Sequence, residues 1–140
     1  MLSAAESPYG HKNVHKWIDG VPDADLYISV ITVMEARKGF SRQRANAKTP
    51  AQMQEALGYE ADFEDILVAY GDKIVLVDRS VAERWGEMLA KREVNVMDTA
   101  VAATAMVHGL VIATRNVEHF RGRGVRVIDP FKINPDIAEP

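Results

Sequence analysis

Residues 96–116 read VMDTAVAATAMVHGLVIATRN, and the fold turns on how this stretch divides. A helical pattern starts near Val96, carries Ala100, Ala102, Ala103 and Ala105, and is closed by Gly109. Leu110 to Ala113 then forms a short continuous apolar run, the pattern of a strand covered on both faces. A turn follows from Thr114 to Phe120. A helix feeding a buried, non-alternating strand is the signature of α/β architecture.

The same alternation extends outward in both directions. Leu26–Val30 is a brief β-prone run, and Ile31 to about Arg44 reads as a helix with basic residues on its outer side. Thr49 and Pro50 supply an N-cap and first turn for a helix running to Tyr70 and stopping at Gly71. Lys73–Val77 is another buried-type strand, and Ser80-Val81-Ala82-Glu83 is a capping-box pattern opening a helix through Trp85 and Leu89. Val125–Ile128 is the last strand expected. A short helix is expected from His11 to Asp19, with Val14, Trp17 and Ile18 on one face. After Asp129, three prolines and scattered charges suggest a tail, giving one domain over residues 1–131 and a tail over 132–140.

The bulk properties agree. A chain of 140 residues suits one core, and 47% hydrophobic with 26% charged residues is an ordinary globular balance. The net charge of -3 offers no global attraction to a polyanion, so any nucleic-acid contact must use local basic patches or bound cations. The absence of cysteine removes disulfides, thiolate zinc sites and cysteine nucleophiles. No apolar run reaches membrane-span length, and Met1–Gly10 lacks the basic-then-apolar pattern of a secretory signal, so a soluble cytoplasmic protein is expected.

In parallel α/β sheets, sites gather at the carboxyl ends of the strands. Three residues stand there: Glu35 after the Leu26–Val30 strand, Asp98 at the start of the alanine-rich helix, and Asn116 after the Leu110–Ala113 strand. Spacing alone favours structural roles. Thr32 and Glu35 have capping-box spacing, Asn95 and Asp98 resemble such a pair, and Asn116 suits a turn.

The flanking residues shift that balance. Residues 28–39, ISVITVMEARKG, resemble the second conserved block of PIN domains of the VapC and FitB type. Residues 97–105, MDTAVAATA, are similar to their third block, and residues 110–120, LVIATRNVEHF, to their fourth. Val127-Ile128-Asp129-Pro130-Phe131 resembles their closing strand. The resemblance implies a PIN-like domain, with a mainly parallel sheet flanked by helices on both faces. It implies a metal-dependent endoribonuclease, the toxin of a toxin–antitoxin pair, with RNA as substrate. Glu35, Asp98 and Asn116 would hold magnesium or manganese, hard ions that favour oxygen donors. Thr114 would add a hydroxyl nearby, and Glu118 is a weaker fourth carboxylate. A VapB-like antitoxin and a homodimer are implied as partners.

One block departs from the family. There, a hydrophobic strand ends in Asp-Thr-Asn before a Val-Leu-Ser-like tripeptide; here Met1-Leu2-Ser3 resembles the tripeptide with nothing ahead of it. The first, central strand and its aspartate are therefore expected to be missing, and Glu6 is a poor substitute. The alternative function is accordingly a catalytically inactive PIN-like protein acting through an antitoxin or RNA partner. A nucleotide-binding Rossmann domain is disfavoured, since no glycine-rich loop follows a strand.

Basic residues fall in two groups: Arg37, Lys38, Arg42, Arg44 and Lys48, and then Arg115, Arg121, Arg123 and Arg126. Solvated faces explain them most simply, with phosphate or acidic-partner contact as the functional reading. His11 and His15 lack a third zinc ligand, His108 suits a helix C-terminus, and His119 falls near the site without a nucleophile to serve. Trp17 and Trp85 read as core residues.

Overall fold

The strands are far shorter than their apolar runs. In the computed structural model, which describes residues 11–140, only two residues of each run enter a ladder. These are β1 (Ile28–Ser29), β2 (Ile74–Val75), β3 (Ile112–Ala113), β4 (Val127–Ile128) and β5 (Ile137–Ala138). β1 pairs with β2 in parallel, β3 pairs with β4 in parallel, and β5 lies antiparallel to β4. Among the described residues no ladder joins the first pair to the other three. Met1-Leu2-Ser3, Glu6 and the question of the first strand lie outside the described residues.

Among the described residues five α-helices accompany the strands: α1 (Lys12–Asp19), α2 (Val30–Asn46), α3 (Pro50–Tyr70), α4 (Arg79–Lys91) and α5 (Val96–His108). The mainly parallel α/β reading holds. Two helix starts differ from the expected ones. Ser29, not Thr32, caps α2, its hydroxyl accepting from the Ile31 N–H at 3.1 Å, while Thr32 is buried inside the helix. Asp78, not Ser80, caps α4 through the Val81 N–H at 3.0 Å. In both cases the strand ends before its apolar run does, so the chain turns earlier and the cap falls where the strand releases the backbone. Thr49 caps α3 as expected, accepting from Gln52 N–H at 3.1 Å. The stretch from 132 to 140 carries β5, whose two residues are exposed.

The core is built around α5. Seven consecutive residues from Thr99 to Ala105 are buried, so this helix is enclosed all round rather than along one stripe. Its alanines let neighbouring elements approach closely. Val81 and Met88 of α4, Ile112 of β3, Phe120, Val125 and Val127 of β4 complete the cluster. The helix's buried hydroxyls are satisfied internally: Thr104 donates to Ala100 O at 2.8 Å and Thr99 to Asn95 O at 2.9 Å. Gly109 takes φ 65°, ending the helix in the left-handed conformation and returning its N–H to Ala105 O. Trp85 is half-buried against this core, its indole N–H donating to Val96 O at 3.0 Å.

By contrast, α2 and α3 pack on each other through their own contacts. Phe40 and Phe63 meet with ring centroids 5.6 Å apart. Arg37 reaches both Glu60 and Glu64, and Arg44 Nε lies 3.1 Å from Glu60 Oε2. The basic stretch on α2 is thus partly neutralised by acids of α3, and the hydrogen bond that Arg37 donates to Glu64 holds its guanidinium above its ordinary pKa.

Candidate functional site

Asp98 occupies the first turn of α5, where the helix dipole favours a negative charge. Its approach is set by an unusual residue. Asn95 stands at the N-cap with φ 49° and ψ 55°, the left-handed region that asparagine tolerates better than most residues. It offers no side-chain cap, so the expected Asn95–Asp98 capping pair does not form. The turn is held instead by its carbonyls. Asn95 O accepts from the Thr99 N–H at 2.8 Å and from the Thr99 hydroxyl at 2.9 Å. Val94 O accepts from Thr99 Oγ1 at 3.2 Å and from Arg123 Nη2 at 2.7 Å.

Arg123 was grouped by sequence with the surface arginines; the structure buries it to 6% exposure. Its second fork nitrogen reaches Met88 O at 3.3 Å, so one guanidinium ties the end of α4 to the entrance of α5. Burial, followed by the neighbouring charge of Arg92, lowers its pKa from the ordinary guanidinium value. A side chain that costs this much to bury sits where the loop launching Asp98 must be fixed.

With that loop fixed, Asp98 meets a partner from the turn after β3. His119 Nδ1 lies 2.6 Å from Asp98 Oδ2, with the two side chains 44% and 30% exposed. His119 belongs to a 3-10 turn over Val117–Phe120, and its N–H donates to Asn116 O at 3.1 Å. The Thr114 hydroxyl, buried, accepts the Asn116 N–H at 3.0 Å, so it shapes the turn. Asp98 and the Asn116 turn are therefore linked through His119 at the carboxyl edge of β3.

Glu35 follows β1 on the second turn of α2, and α2 packs against α5. Its carboxylate is 31% exposed and pairs with Lys38 Nζ at 2.8 Å. Among the described residues no hydrogen bond or ion pair joins it to Asp98. Glu118 pairs with Arg121 at 2.6 Å and is turned to that role. Carboxylate, amide and hydroxyl oxygens are the donor types that hard divalent ions take. Among the described residues, however, no group of three or more His, Asp or Glu side chains is close enough to hold a metal. The donor chemistry fits such an ion; the described donors alone do not complete its shell.

The sequence singled out Glu35, Asp98 and Asn116 but not the link from Asp98 through His119 to the Asn116 turn. His119 carried no signal beyond its nearness to Asn116, and the burial of Arg123 none at all. Gly122 and Gly124, both at positive φ on either side of Arg123, are the one hint that the chain there turns tightly.

A parallel α/β sheet with an acid-bearing carboxyl edge suits a PIN domain, and residues 2–123 match the model of that family. The chain belongs to the PIN domain family. It is 30% identical over 136 residues to toxin FitB of Neisseria gonorrhoeae, covering 94% of each chain. It is 26% identical over 121 residues to a VapC ribonuclease of Sinorhizobium fredii, covering 83% of this chain and 82% of the relative. Its fold matches the crystal structure of FitAcB from Neisseria gonorrhoeae with a TM-score of 0.75 and 27% identity, over 93% of this chain and 96% of that one. The resemblance to the VapC and FitB type read from the three sequence blocks holds. No helix among the described residues is long and apolar enough to cross a membrane.

Proposed function

We propose that this chain is the ribonuclease toxin of a toxin–antitoxin pair, cutting RNA phosphodiester bonds in the cytoplasm with magnesium or manganese. The observation that carries the reading is Asp98 on the first turn of α5, linked through His119 to the Asn116 turn, in a chain 30% identical to a FitB toxin. A VapC ribonuclease among its relatives supports RNA as the substrate.

In this reading Glu35 and Asp98 would hold the ion, with Asn116 beside them. When bound, such an ion supplies an activated water and offsets charge building on the phosphate. The chain's own residues do the positioning. Thr99 and Arg123 fix the entrance of α5, and His119 holds one Asp98 oxygen, leaving the other free to ligate. The Asn116 amide has donor and acceptor groups able to orient a water. An antitoxin of the VapB kind and a second copy of the chain are the proposed partners.

A second reading keeps the fold and the partner without the chemistry. It is favoured by the incomplete donor group among the described residues. End-labelled RNA incubated with the chain in magnesium, and again in EDTA, separates the two. Cleavage in magnesium alone supports the enzyme; intact RNA in both supports the inactive partner-binding protein.

A further inference from the structure

Beside the acidic edge stands a stack the chemistry above does not use. Arg115 lies between Thr114 and Asn116, directly after β3, and Phe131 follows the end of the neighbouring strand β4. Because β3 and β4 run parallel, both residues emerge at the same carboxyl edge. The Arg115 guanidinium carbon lies 4.0 Å from the centroid of the Phe131 ring, and Arg115 is exposed. His11 meets the other part of this platform edgewise, its ring centroid 5.0 Å from that of Phe131 at 62°.

The platform is braced from below. Phe131 N–H donates to Asp129 Oδ1 at 3.0 Å, and Phe131 O accepts from Asn13 Nδ2 at 2.8 Å. Pro130, before it, is fully buried. The ring is therefore held by backbone and by α1 rather than by the arginine, which rests on it from outside.

Arg121 pairs with Glu118, and Arg123 is buried in the α4–α5 loop. In a chain of net charge -3, an exposed guanidinium whose carbon lies 4.0 Å from an aromatic ring centroid, next to Asn116, is a specific feature. Unpaired bases of single-stranded RNA are taken up by stacking on aromatic rings and guanidinium planes, with the arginine's charge facing the backbone.

We propose that Arg115 and Phe131, with His11 at their edge, form a stacking platform for one unpaired base of the RNA, adjacent to the phosphate addressed at the Asp98–Asn116 edge. The platform rests on the ribonuclease reading for its substrate class, and its binding role is separable from cleavage. It predicts a preference for single-stranded over duplex RNA, since a paired base cannot reach it.

The test is equilibrium binding of the full chain to a single-stranded RNA oligonucleotide containing 2-aminopurine, in magnesium and in EDTA, with fluorescence reporting stacking. The wild type should bind and quench the probe. Phe131→Leu should lose affinity on the order of ten-fold and lose the quench, as expected for one stacked base. Phe131→Tyr should retain both, which guards against loss of fold, and melting curves of all variants should match the wild type. Arg115→Lys keeps the charge without the plane and should also lose the quench; Arg115→Gln should in addition flatten the salt dependence by about one ion. If the wild type binds RNA while folded Phe131→Leu and Arg115→Gln bind and quench as it does, the platform is overturned and the ribonuclease reading stands. If the wild type binds no RNA in either buffer, both fail together.

Discussion

His119 Nδ1 and Asp98 Oδ2, 2.6 Å apart, join the turn after β3 to the first turn of α5. The contact spans 21 residues of sequence and is the direct bond between the two halves of the candidate site. It leaves Asp98 oriented but partly exposed, a carboxylate available to a further ligand.

From this follows a prediction on ions. Magnesium that binds only the folded chain raises its melting temperature, by about 2.7 kcal/mol of stabilisation at a hundred times the dissociation constant. Asp98→Asn should abolish most of that rise while leaving the metal-free melting temperature nearly unchanged. Melting curves over a magnesium titration check it; an equal rise in both proteins would remove Asp98 from the ion site.

Arg123 should behave counter-intuitively. Both carbonyls it bonds keep another donor, the Arg92 N–H for Met88 O and the Thr99 hydroxyl for Val94 O. Arg123→Met therefore strands no acceptor and relieves a buried charge, so about 1–2 kcal/mol of destabilisation is expected. Arg123→Lys keeps the buried charge without the two-pronged fork and should destabilise at least as much. Urea denaturation ranks them, and a lysine variant as stable as wild type would contradict the clamp.

Those two residues show where sequence reading stopped. The helices α3 and α5 were legible because their signals are local: Thr49 and Pro50 at one start, Gly71 and Gly109 at the ends. Glu35, Asp98 and Asn116 stand out in the sequence because each lies in a block that resembles the family's, Glu35 and Asn116 after strands and Asp98 at the opening of α5. The caps Ser29 and Asp78 were not, since how far a strand runs before releasing the chain depends on its neighbour across the sheet. Nor could the burial of Arg123 be read, because its partners are carbonyls 29 and 35 residues away, which any sequence supplies.

Asn95 offers a backbone test. With φ 49° and no capping bond, its side chain contributes little beyond tolerating the conformation. Asn95→Gly should be close to neutral, whereas Asn95→Ala should cost about 1 kcal/mol. Equal stability of the two variants in urea would show that the turn relaxes out of the left-handed region.

Ile112 is fully buried at the centre of the core, on the strand that delivers Asn116. Ile112→Ala should cost about 2–5 kcal/mol, against a few tenths for Leu76→Ala, which is 63% exposed. Chemical denaturation distinguishes them; similar midpoints would mean the core is centred elsewhere.

Phosphodiester chemistry is proposed at the edge carrying Glu35 and Asp98. Cleavage of end-labelled RNA in magnesium by the wild type, Glu35→Gln and Asp98→Asn tests it most directly, with melting curves showing that all three are folded. The wild type should cleave, and both variants should lose cleavage by about a hundred-fold or more, as is typical when charge-stabilising groups are removed. Cleavage by folded Asp98→Asn and Glu35→Gln at the wild-type rate would place the chemistry elsewhere.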